Sequence, residues 1–218
     1  MAFWQSVGFG RPMHLSWRRS NLIKIVLLAS MALMARVPLG AGGAEPVVEP
    51  RYEWEVMTGV LWKVGSAATP LSYRLIPQII SLKIPPLVER PLASGTFVLR
   101  SRFSLLLEPI HYGPENFYLG VAAAGEIEWR PTASRFEVFF AAGGGFGWMD
   151  SKGYEIAGGQ GQNFNLNWLV HSGVRYRTTS GWRCSAGIYF QHISNRRMDK
   201  INPGLNAVGP MVGVSRRF

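Results

Sequence analysis

His192 and Ser194 stand two residues apart in the run Gln191-His192-Ile193-Ser194-Asn195, near the end of a chain of 218 residues. In an extended strand successive side chains alternate between faces, so these two point the same way. An imidazole beside a hydroxyl is the pairing of a general base with an oxygen nucleophile. Trp182, Cys184, Ala186, Ile188 and Phe190 share their parity, which places the pair on an apolar face. A nucleophile on an apolar strand face suits an ester substrate that itself lies in a lipid phase.

The last strand of the chain supplies a third polar group. Asn206, Val208, Val212, Val214 and Phe218 share one parity. A hairpin closing through 196–204 sets Asn206 roughly opposite Ser194. The expected site has Ser194 as nucleophile, His192 as its base and Asn206 holding the imidazole tautomer. The side chain or backbone amide of Asn195 is the expected oxyanion donor. Arg196, Arg197 and Lys200 follow in the loop, where cations suit lipid phosphates; a solvated loop is the plain alternative. Asp199 is the nearest acid that could act on the imidazole. The bland reading of the trio is a few polar groups at headgroup level, where they cost little.

The elements that must position these residues are strands. From residue 45 onward the pattern has period two, with strands expected at 51–65, 70–83, 94–109, 115–131, 134–149, 161–178, 180–195 and 205–218. Most exceed the five or six residues usual in soluble proteins and reach the nine to eleven that a tilted membrane strand needs. The sixth puts Phe164, Leu166, Trp168, Val170, Val174 and Tyr176 opposite Asn163, Asn165, Asn167, His171 and Arg175. The third puts Phe97, Leu99, Phe103, Leu105 and Leu107 opposite Arg100, Arg102, Ser104 and Glu108. The fold class is therefore all-β, an eight-stranded antiparallel transmembrane β-barrel with its polar face inside. Charges inside so narrow a barrel must pair, and Arg100 and Arg102 with Glu126 and Glu128 are the expected network. Tight turns at 131–134 and 178–180 contrast with longer connections at 150–160 and 196–204, the asymmetry of outer-membrane barrels. The proline-rich connection 84–93 is an exception on the short side. Pro77 and Pro210 within strands point to a rim or a bulge.

Composition agrees with this class. The hydrophobic fraction is 47% and the charged fraction 17%, yet no apolar run is long enough for a spanning helix. Arg18, Arg19 and Lys24 precede an apolar stretch from Ile25 to Ala35, and Gly42-Gly43-Ala44 supplies small residues before a cut at Glu45. The domains are thus a signal peptide, 1–44, and an outer-membrane barrel, 45–218. Five basic residues and no acid lie in that leader, so the other 18 basic residues face 13 acidic ones. That modest excess does not argue for nucleic acid; it suits anionic headgroups. Cys184, the single cysteine, excludes an intrachain disulfide. Gly143-Gly144-Gly145-Phe146-Gly147 opens no helix and is not a nucleotide loop. The histidines lack the spacing of a metal site.

The sequence His192-x-Ser194-Asn195, the run Asn202-Pro203-Gly204-Leu205-Asn206 and the terminal strand resemble the lipid A 3-O-deacylase (PagL) family of outer-membrane enzymes. Tyr73-Arg74-Leu75-Ile76-Pro77-Gln78, Leu107-Glu108-Pro109, Phe164-Asn165-Leu166 and Gly173-Val174-Arg175-Tyr176 resemble its acyloxyacyl hydrolase-like members. The resemblance spans about residues 51–218. It implies an esterase that removes a 3-hydroxyacyl chain from lipid A of lipopolysaccharide in the outer leaflet, without metal or cofactor. It also implies residence in a Gram-negative outer membrane; a homodimer is left open. Two departures stand out: Asn206 occupies the place of the family's Glu, and Arg196-Arg197 stand where small residues are common. The alternative reading is a catalytically inactive barrel with a structural, adhesive or lipid-binding role.

Overall fold

Every regular element is a β-strand in the computed structural model, which describes residues 51–65 and 72–218. The leader expected over 1–44 lies outside these residues. β1 (Glu53–Gly59) and β2 (Leu61–Lys63) form the first stave of the barrel, and β3 (Arg74–Leu75), β4 (Gln78–Lys83) and β5 (Val88–Leu92) the second. Six unbroken staves follow: β6 (Gly95–Tyr112), β7 (Phe117–Pro131), β8 (Phe136–Met149), β9 (Phe164–Arg177), β10 (Trp182–Ser194) and β11 (Leu205–Arg217). All neighbours pair antiparallel, and β1 closes on β11 from Glu53 opposite Arg217 to Gly59 opposite Met211. The eight expected strands are thus eight staves of one closed barrel.

Prolines explain the broken staves, because a residue without an N–H cannot complete a ladder. Pro77 separates β3 from β4, and Pro85-Pro86 separate β4 from β5. Pro210 lies in the middle of β11 rather than at a rim. The gap between β1 and β2 falls beside it, where Val60 N–H donates to Pro210 O at 3.3 Å. The connection 84–93 also differs from expectation. It is no long loop, since β5 continues the second stave along β6, from Val88 opposite Leu99 to Leu92 opposite Gly95. Only Ala93-Ser94 join the two strands, so every connection at this end is short. The opposite end carries 150–163 and 195–204.

The outward face is apolar. Phe103, Val138, Phe140, Ile188 and Val212 are each exposed, whereas Arg100, Arg175, Glu126 and Glu128 are fully buried inside. A soluble sandwich would show the reverse. Aromatic side chains ring both ends, with Trp54 against Trp182 near the short turns and Trp148 against Phe164 near the long loops.

Inside, the half nearest the short turns is an ion-pair core. Arg102 meets Glu126 at 3.0 Å and Arg100 meets Glu128 at 3.5 Å, the four residues expected to pair. The network is wider than that quartet. Arg175 touches Glu126, Glu128 and Glu55 at 2.9, 3.2 and 3.6 Å and lies over the Phe139 ring. Lys83 bridges Glu53, Glu55 and Glu126, and Arg183 bridges Glu53 and Glu137. Glu53, Glu55, Glu126, Glu128 and Glu137 thus meet the buried cations Lys83, Arg100, Arg102, Arg175 and Arg183, and Arg130, Arg177 and Arg217 join them from the rim. Unpaired, each such ion would cost several kcal/mol. The half nearest the long loops is mixed: Met57, Leu61, Leu75, Ile79, Leu106, Ile110, Leu205 and Met211 pack there beside the buried polar side chains of Glu108, Asn167 and Gln191.

Candidate active site

β10 and β11 run in register so that His192 lies directly opposite Asn206. Both side chains, with Ser194, take the outward parity, while Gln191, Ile193 and Ala207 turn inward and are buried. His192 Nδ1 is 2.6 Å from Asn206 Oδ1, and His192 Nε2 is 3.0 Å from Ser194 Oγ. A carbonyl oxygen has no proton to give, so Nδ1–H donates to Asn206. Nε2 is then left with a lone pair facing the Ser194 hydroxyl, the tautomer a general base requires. Asn206 is fixed from its other side, where Val64 N–H donates to its backbone oxygen at 2.9 Å.

The surroundings are apolar on the membrane side. Trp168 pairs with His192 across β9 and β10, with ring centroids 5.8 Å apart. Phe190 lies 4.9 Å from Trp168, and Leu166 is opposite Ser194. On the loop side Gly204 adopts φ +68°, and a Cβ there would come within 3.4 Å of His192 Cε1. Residue type and spacing mark neither Trp168 nor Gly204 as a site residue, although the alternation of the sixth strand gives Trp168 the outward parity.

Asn195 departs from its expected role. It falls on the inward parity and is fully buried. Its N–H donates to Asn202 Oδ1 at 3.0 Å and its Nδ2 to Ile201 O at 2.8 Å. Both donors expected to meet an oxyanion are thus engaged within the loop. Its Oδ1 accepts from Arg197 N at 2.9 Å and its backbone oxygen from Met198 N at 2.9 Å. These bonds hold Arg196 and Arg197 at φ 51° and 66°, conformations that cost about 1–2 kcal/mol per residue for L side chains. Asn195 is the clamp of this turn. Arg196 and Arg197 are exposed, and Lys200 Nζ lies 5.8 Å from the Tyr154 ring centroid.

Asp199 is not the partner of the imidazole. Its carboxylate accepts from Tyr154 OH at 3.0 Å and from Ile201 N at 2.8 Å, and both His192 nitrogens are already engaged. The bond to Asp199 pushes the exposed Tyr154 phenol above its ordinary value. With Gly161 N–H donating to Ile201 O at 3.2 Å, this contact ties the loop 150–163 to the loop that carries Asn195. A second tie anchors the loop 150–163 at Glu115, whose carboxylate accepts from Tyr73 OH and Gln160 N, each at 2.6 Å.

The sequence model of a family described as "Lipid A 3-O-deacylase (PagL)" matches residues 95–215. Among solved structures, the chain is similar to the outer membrane enzyme PagL, at 14% identity and a TM-score of 0.52 over 75% of this chain and 98% of that one. It is also similar to Neisserial surface protein A, at 12% identity and a TM-score of 0.44 over 77% and 97%. The third is the Yersinia pestis outer membrane protein Ail, at 12% and 0.36 over 78% and 100%. No curated protein matches the sequence.

Proposed function

Because the chain belongs to the lipid A 3-O-deacylase (PagL) family, we propose that it is an outer-membrane esterase that releases an ester-linked 3-hydroxyacyl chain from lipid A. The observation that carries this reading is the hydrogen-bonded series Ser194–His192–Asn206 on the membrane-facing side of β10 and β11. The long loops then lie outside the cell and the short turns in the periplasm. Lipopolysaccharide of the outer leaflet meets the site laterally, from within the bilayer.

Chemistry follows from the tautomer. Ser194 Oγ attacks the ester carbonyl carbon while His192 Nε2 takes its proton, and Asn206 Oδ1 holds the ring through Nδ1–H. The tetrahedral intermediate collapses when His192 returns the proton to the departing sugar oxygen, leaving the acyl group on Ser194. Water, deprotonated by the same nitrogen, hydrolyses that ester and releases the 3-hydroxy fatty acid. Trp168, Phe190 and Leu166 line the path along which the acyl chain lies. Arg196 and Arg197, exposed beside the site, meet phosphates of the headgroup region.

The deciding experiment refolds the mature chain in detergent, adds lipid A and weighs the products. Loss of one hydroxyacyl mass, absent in Ser194→Ala, is the expected result. No loss across pH and calcium concentration would leave the second reading, a barrel that holds lipid without cleaving it, which the neutral Asn206 favours.

A further inference from the structure

The segment around Arg74 takes no part in the relay, yet it places a cation on the outward wall close to it. Tyr73 and Leu75 are buried, so Arg74 between them has the outward parity. It lies opposite Trp62 on one neighbour and Tyr112 on the other, both exposed. Trp62 in turn lies opposite Val208, two residues from Asn206 on the same face of β11. The guanidinium carbon is 4.8 Å from the Tyr112 ring centroid. Among the described residues no carboxylate stands within ion-pair distance of Arg74, and its buried Nε has no hydrogen-bond partner. Trp62, Lys63, Gly65, Ser72, Tyr73, Arg74 and Tyr112 border a depression of about 510 Å³.

We infer that this depression is a phosphate site that seats the headgroup of the lipid whose acyl chain reaches Ser194, with Arg74 as its principal ligand. A charge on the membrane-facing wall is unfavourable near the midplane and cheap at headgroup level. Here an aromatic on each side screens the stem of the arginine from the acyl chains and leaves its fork toward the headgroups. A guanidinium fork matches phosphate oxygens in pairs. Spacing selects the kind of lipid. Adjacent staves lie about 4.8 Å apart, so Arg74 is about 10 Å from the strand of Asn206 and about 14 Å from that of His192. A disaccharide headgroup with a terminal phosphate bridges that interval; a glycerol headgroup, whose phosphate sits next to its ester bonds, does not. The site thus rests on the esterase reading and adds to it a determinant of which lipid is held, and in which orientation.

The test measures binding and turnover separately. The Ser194→Ala protein, refolded in detergent, is titrated with phosphorylated lipid A and with the same lipid after removal of its phosphates. The phosphorylated form should bind about tenfold tighter, as expected for charge-assisted contacts. Arg74→Gln in that background should lower the ratio severalfold, the remainder being carried by Arg196 and Arg197, and Arg74→Lys, which keeps charge but not the fork, should fall between. Heat-modifiable gel mobility reports folding of each variant, and the ratio in the Ser194→Ala parent tests the site even where a variant fails to fold. A ratio near one in that parent, or a ratio unchanged by Arg74→Gln, would overturn the proposal. So would equal competition by inorganic phosphate or phosphatidylglycerol. If the wild-type chain binds with this ratio but cleaves neither lipid, the esterase reading fails and the phosphate site stands. If it cleaves and binds both lipids alike, the site fails and the esterase stands.

Discussion

His192 Nδ1 and Asn206 Oδ1 meet at 2.6 Å across the β10–β11 ladder. The amide oxygen does what a carboxylate would do for orientation, since it accepts the Nδ1 proton and leaves Nε2 toward Ser194. It does not offset the positive charge that the ring acquires when it takes the serine proton. Asn206→Glu is therefore expected to raise the rate of hydroxyacyl release. A charge-assisted hydrogen bond is about twice as strong as a neutral one, which corresponds to roughly tenfold. Asn206→Leu should lower the rate by a similar factor or more. Turnover of lipid A in mixed micelles, at saturating substrate, decides the matter; an equal or lower rate for Asn206→Glu would show that the ring is charged and oriented by other groups.

Ser194 and His192 act as one unit in this scheme, so their losses should not add. Each single replacement, Ser194→Ala or His192→Gln, is expected to lower turnover by a factor on the order of 10³ or more, with the double replacement no worse than the weaker single. Additive losses would mean that the two side chains contribute independently. Folding should be unaffected, because both are half-exposed on the outer wall.

Period two made much of this legible. Alternation needs only parity, and parity alone placed His192, Ser194 and Asn206 outward and Arg100, Arg102, Glu126 and Glu128 inward. The same rule, carried one residue further, turns Asn195 inward, away from any oxyanion. Proximity of Asn195 to Ser194 in the chain does not override that parity. The bond between Tyr154 and Asp199 has no such signal, since it joins two loops and neither has a period. β5 is concealed by Pro85 and Pro86 before it and Pro91 within it, which together have the composition of a loop. The apolar cluster within the lumen is concealed differently. Met57, Leu61 and Leu106 share a face with Glu53, Glu55, Arg102 and Glu108, and a polar label for the whole face conceals the apolar residues among its charges.

Arg175 tests whether the ion-pair core is a structural device. It contacts Glu55, Glu126 and Glu128, and all four side chains are fully buried. Arg175→Met removes the cation and keeps much of its volume, leaving three carboxylates short of a partner. The expected loss is about 3–5 kcal/mol, the usual penalty for breaking a buried pair. It should appear as a lower guanidinium midpoint for unfolding from lipid vesicles. Turnover of the fraction that remains folded should change little, since Arg175 faces the lumen and the relay faces the membrane. Loss of turnover with an unchanged midpoint would argue against a purely structural network.

Gly204 should be sensitive for two separable reasons. Its φ of +68° is strained for any residue with a Cβ, and that Cβ would stand 3.4 Å from His192 Cε1 and 3.9 Å from Ser194 Cβ. Gly204→Ala is expected to cost about 1–2 kcal/mol in the backbone and to shift the imidazole. Displacements of this kind lower turnover by up to about a hundredfold. Gly204→Asn relieves part of the backbone strain, because Asn tolerates this region, but still crowds the ring. If Gly204→Asn restored stability and full turnover together, the close approach to His192 would be of no consequence.

Asp150 gives the outer loops an acid limit. Its burial alone would raise its pKa, but hydrogen bonds outweigh that and hold the carboxyl below its ordinary value. Its Oδ1 accepts from the backbone N–H of Asn116 at 2.8 Å and of Phe117 at 3.2 Å, and its Oδ2 accepts from Asn116 Nδ2 at 2.6 Å. A carboxyl that is harder to protonate in the folded chain than in the unfolded one stabilises the fold above the unfolded value. That contribution is lost as pH falls through the lower, folded one. The clamp between residues 116–117 and 150 should therefore hold throughout the neutral range and release only below about 3.9, the ordinary aspartate value. Hydrogen exchange at the Asn116 and Phe117 amides, corrected for intrinsic rates, should show protection that disappears in that acid window, and Asp150→Asn should remove the pH step. A step near neutral pH, or one that survives Asp150→Asn, would assign the loop's acid response to another group.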